Sequence, residues 1–72
     1  MLKPNVAAIN ELIAEDFQGN KSAFADALGV NRSQISVLIN NEGKGAGARF
    51  WGGLIKLCDR TGRDFRKYIF LD

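Results

Sequence analysis

Histidine is absent from this 72-residue chain, and cysteine and proline occur once each. Without an imidazole the chain lacks the commonest general base and the commonest metal ligand at neutral pH. Cys58 alone leaves no internal disulfide and no set of thiolates for zinc. No apolar run approaches the roughly 18 residues that span a bilayer. The opening Met1-Leu2-Lys3-Pro4-Asn5 lacks the apolar stretch and small-residue cleavage site of a signal peptide. A chain of this length is expected to form one domain, residues 1–72, with a modest core and little margin for strained catalytic machinery. No carboxylate pair can be placed in a cleft: Asp59 reads as surface charge and Asp64 as a helix cap. The expectation is a protein that is not an enzyme, with no catalytic residues, metal, cofactor, small-molecule substrate or membrane partner.

What the chain does have is helical periodicity and an uneven charge. Residues 1–30 carry a formal charge of −2 and residues 31–72 one of +4. A basic second part suits a polyanion weakly, and on charge alone a solvated mixed-charge surface is the better reading. Val6, Ile9, Leu12, Ile13 and Phe17 form one stripe of a helix over about residues 5–17, closed at Gly19. Asn20 can cap a second helix, Lys21 to Leu28, which Gly29 stops. Asn31 and Gln34 have capping-box spacing at the start of a third, running to about Asn40 or Asn41. The segment Glu42–Gly47 is a loop by composition. A fourth helix over about residues 48–61 carries Phe50, Leu54 and Leu57 on one face with Cys58 at its margin. Gly62 ends it, and Asp64 can cap a short fifth helix with Phe65, Tyr68 and Ile69. No stretch alternates like a strand, so the expected class is all-α with five helices. Gly52-Gly53 would sit inside the fourth helix at about 1 kcal/mol each relative to Ala. Either that helix starts after Gly53 or the glycines admit a close neighbour.

Residues 21–40 form the most informative stretch, two short helices joined by a Gly-containing turn. Phe24 and Leu28 bury the inner face of one, Ala25 is small where the helices cross, Val30 plugs the turn, and Ile35, Leu38 and Ile39 bury the other. At 100° per residue, Ser33, Ser36, Val37 and Asn40 face away from that inner set, with Arg32 at the helix start. This outer face is short and free of acids, and Arg32 is its one charge. Such a face suits the major groove of DNA. Arg32 can donate to a guanine edge, Ser33 and Ser36 can exchange hydrogen bonds with several bases, and Val37 can pack on a thymine methyl. The rival reading is a helical hairpin whose outer residues are merely solvated.

Phe24-Ala25, Leu28-Gly29-Val30, Ile35-Ser36 and Leu38-Ile39-Asn40 resemble the lambda-repressor/Cro-like helix-turn-helix family, also called the xenobiotic-response-element type. A weaker resemblance runs over about residues 5–70. It implies a DNA-binding domain whose third helix reads bases with its first residues, which here are Arg32, Ser33 and Val37, with Ser36 a weaker candidate. It also implies phosphate contacts from Lys21 and Ser22 at the second helix start, from Asn40, and from Lys44 and Arg49 beyond. Five glycines between positions 43 and 53 depart from the family pattern and put Lys44 and Arg49 in question. The further implications are a transcriptional repressor in a prokaryotic or phage cytoplasm, a palindromic double-stranded operator, and a homodimer through the fourth helix and the C-terminal residues (Trp51, Tyr68, Phe70, Leu71). Trp51 has a competing reading as core packing. The alternative function is a protein-interaction module of antitoxin or anti-repressor type on the same fold.

Overall fold

The structure, a computed structural model, describes the backbone of residues 2–41 and 46–71, and the side chains of residues 3–41 and 46–70. Lys44, one of the expected phosphate contacts, lies outside the described residues, as does the side chain of Leu71.

Four α-helices make up most of the described residues: α1 (Val6–Phe17), α2 (Lys21–Leu28), α3 (Arg32–Asn40) and α4 (Ala48–Thr61). Their limits follow from local chemistry. The Asn5 side chain accepts the Ala8 N–H at 3.2 Å, and that of Asn20 accepts the Ala23 N–H at 3.1 Å. Each thereby satisfies one of the donors that a helix start leaves open. Gln34 reaches back so that its Oε1 accepts the Asn31 N–H at 3.1 Å, as the capping-box spacing predicts. Gly29 stops α2 in the left-handed region, at φ 75°. At the end of α1 the reversal spans two residues, because Gln18 is left-handed as well as Gly19.

The mostly helical class is as expected, but the fifth helix is not there. Asp64 does cap, accepting the Arg66 N–H at 3.0 Å, yet the element it starts is a single 3-10 turn, Phe65–Tyr68. The chain then runs directly into a strand. That strand, β2 (Ile69–Leu71), pairs antiparallel with β1 (Leu2–Pro4), in the register Leu2↔Leu71, Lys3↔Phe70 and Pro4↔Ile69. Asn5 fastens this junction: its N–H donates to the Tyr68 carbonyl at 2.9 Å and its Nδ2 to the Lys67 carbonyl at 3.2 Å.

One core holds the elements together. Ile9, Leu12 and Ile13 of α1 meet Phe24, Ala25 and Leu28 of α2, Ile35 and Leu38 of α3, and Phe50, Leu54, Leu57 and Cys58 of α4. Burial pushes the Cys58 thiol pKa up, so it behaves as an inert filler. Tyr68 completes the core at 3% exposed. It was expected at a subunit interface, and its burial removes it from any such surface.

The α2–α4 contact also resolves the glycine pair. Helix α4 begins at Ala48 and runs straight through both. A Cβ on Gly53 would lie 2.9 Å from the Cα and Cβ of Leu28 and nearer still to its carbonyl oxygen. The end of α2 rests on bare backbone there, and only glycine leaves room. Gly52, one residue earlier, is exposed and has nothing within 4 Å of where its Cβ would stand.

Candidate nucleic-acid interface

Helix α3 is positioned from beneath. Ile35 is fully buried, Leu38 is nearly so, and Ile39 packs partly against the core, so the helix cannot rotate without exposing them. The short turn Gly29–Asn31 ties its start to the end of α2, with the Val30 N–H donating to the Ala25 carbonyl at 3.0 Å. The half-buried Val30 side chain packs against the core below the turn.

The opposite side of α3 brings together four of the residues expected to read bases. Arg32, Ser33, Ser36 and Val37 line one shallow recess of about 290 Å³. Arg32, Ser33 and Val37 are exposed, and Ser36 is half-buried. Val37 is 51% exposed, one of three large apolar side chains at that level among the described residues. No acid lines the recess. A long cationic donor, two hydroxyls and a branched apolar group thus share one surface, which can offer hydrogen bonds and apolar contact to a flat polar partner.

The residues expected to hold phosphate are dispersed. Lys21 and Ser22 are exposed in the first turn of α2, and Asn40 is exposed at the end of α3. Amide groups at a helix start favour anions, so Lys21 and Ser22 have local support for such a role. Arg49 does not join the α3 recess. It lines a separate cleft between the end of α2 and the outer face of α4, together with Lys56 and Arg60. The sequence pattern did not single out Lys56 or Arg60. The available signal was their spacing from Arg49, seven and then four residues, which aligns all three on one helical face.

The densest electrostatic cluster is structural. Arg63 donates to both carboxylate oxygens of Asp16 at 2.6 and 3.0 Å, to Glu15 at 3.3 Å and to the Tyr68 hydroxyl at 3.2 Å. Asp16 first and Tyr68 second hold the guanidinium pKa above its ordinary value. This clasp joins the end of α1 to the segment after α4. Its acids therefore have intramolecular partners.

Trp51, expected at an interface or in the core, is half-buried, and its ring packs edge-on to Phe50 at 5.2 Å and to Phe65 at 6.0 Å. Phe70 is 53% exposed on the sheet, and Ile55 is 49% exposed on α4. Among the described residues no group of three or more His, Cys, Asp or Glu side chains is placed to hold a metal ion. Among the same residues no helix is long and apolar enough to cross a membrane. No protein-family model, curated protein or solved structure matches the chain.

Proposed function

We propose that this protein binds double-stranded DNA by seating α3 in the major groove, and that it acts as a transcriptional repressor. The observation that carries the reading is the recess on α3, where Arg32, Ser33, Ser36 and Val37 meet without an acid on a helix locked by Ile35 and Leu38. Small polar side chains let a helix approach base edges, Arg32 can make a bidentate pair with guanine, and Val37 gains apolar contact against a thymine methyl. Lys21, Ser22 and Asn40 would bind phosphate and set the register, without selecting sequence. The helix order and the turn at Gly29 accord with a lambda-repressor-like domain.

Repression would follow from occupancy of an operator, with no chemistry performed and a cytoplasmic location beside the DNA. The assembly would be a two-fold dimer reading half-sites about one helical turn apart, for which the exposed Ile55 and Phe70 and the half-buried Trp51 offer apolar contacts. A monomer mass independent of concentration at tens of micromolar, with and without DNA, would rule the dimer out.

Selection from a randomised duplex library at two salt concentrations tests the whole reading. The expected result is a palindromic motif whose affinity falls steeply as salt rises. Absence of enrichment at both salts rejects DNA as the partner.

A further inference from the structure

We infer that the cleft between the end of α2 and the outer face of α4 is a docking site for an acidic polypeptide segment of a partner protein, separate from the α3 surface. The cleft measures about 450 Å³ and shares no lining residue with the α3 recess. Arg49, Lys56 and Arg60 form its positive wall, and none of the three is ion-paired with another described residue. Its opposite wall is negative, made of Asp26 and the carbonyl end of α2. A phosphate backbone carries one sign of charge and meets repulsion from that second wall. A polypeptide can present carboxylates to the first wall and side-chain N–H donors to the second, and so can satisfy both.

Gly52 supplies an independent observation. It lines the cleft in the interior of α4, where glycine costs about 1 kcal/mol relative to Ala. Unlike at Gly53, a Cβ placed there would meet no described residue beyond its own stretch of helix. What its missing side chain provides is a bare stretch of helix between Arg49 and Lys56, open to close approach from outside. The acids of α1 are poor candidates for the same role from a second copy. Glu15 and Asp16 are held by Arg63, and Glu11 lies beside Arg63 and Lys67.

The test uses the full chain and three fluorescent probes. One is a synthetic helical peptide of about sixteen residues with glutamates four and seven residues apart, matching the spacing of the three cations. The second is the same peptide with glutamine at those positions. The third is duplex DNA. The glutamate peptide is expected to bind saturably, at least about tenfold tighter than the glutamine peptide. Gly52→Leu fills the cleft in open space, so it should fold, and it should weaken the glutamate peptide at least about tenfold while leaving duplex affinity unchanged. Lys56→Glu with Arg60→Glu serves as the second variant and should also lose the peptide. Failure of the glutamate peptide to bind, or equal binding by Gly52→Leu, overturns the inference. A loss of about tenfold in duplex affinity on Gly52→Leu overturns it too, and gives the cleft to DNA. The peptide measurements do not depend on the DNA reading, so the two fail separately.

Discussion

Helices α3 and α4 each turn one face to the same core and the other to solvent, but their outer faces are built on different chemistry. That of α3 is a compact set of small polar and apolar groups with one cation at its start. That of α4 is a row of cations interrupted by glycine backbone. The first offers shape and hydrogen-bond pattern, which discriminate among partners at short range. The second offers charge and open backbone, which attract at longer range and admit a close neighbour. The two faces are thus chemically distinct, and the core that fixes both helices leaves the α3 recess and the cationic row of α4 open to solvent.

The sharpest way to break this comparison is to separate the helices. Gly53→Ala forces a side chain into the backbone of Leu28. Because backbone cannot yield as a side chain can, a loss of about 3 kcal/mol is expected. Urea unfolding measures it, and a loss below about 1 kcal/mol would show that α2 can lift off α4 cheaply. Next in size is Arg32→Ala, expected to cost about 2 kcal/mol of duplex affinity and to relax base preference at one position, while Lys21→Ala weakens all sequences alike and lowers the salt slope by about one. Competition binding against a set of single-base variants distinguishes the two. Equal behaviour would make Arg32 another phosphate contact.

Much of the fold was legible because its signals are local. Asn20, Gly29, Asn31 and Gly62 act within a turn of their own positions, and the limits of α2, α3 and α4 follow from them. The sheet was not legible. Its strands are three residues each, too short to show alternation, and their partners lie at opposite ends of the chain. Tyr68 was misplaced for the same reason: the sheet and the Asn5 hydrogen bonds carry it into the core, which periodicity in the last residues cannot reveal. Within the candidate site, the grouping of Arg32, Ser33, Ser36 and Val37 was readable from helical spacing alone. That Arg49 shares a cleft with the end of α2 depends on how α4 packs against α2, a long-range relation that no local pattern encodes.

Two smaller effects sharpen the contrast. Gly52→Ala should raise stability by about 1 kcal/mol, since the methyl group meets nothing and the helix gains propensity. A calorimetric midpoint checks this, and a decrease would mean the position is constrained within the fold. The smallest effect is at Asp64, whose pKa is lowered by the Arg66 side chain and then by the Arg66 N–H. A carboxylate lowered on folding adds stability above its ordinary pKa and loses it as pH falls through the lowered value. From about pH 5 downward the melting temperature of Asp64→Asn should therefore fall less steeply than that of the parent protein. Parallel curves would show that the charge on this cap adds nothing on folding.

The pairing of Leu2 with Leu71 joins residues 69 positions apart. Bringing such distant segments together costs chain entropy before any contact between them repays it. The caps of α1, α2 and α3 act within a single turn and carry no such cost. The three-residue pairing is therefore expected to form last, on helices that have already condensed: it latches a finished core and does not nucleate one.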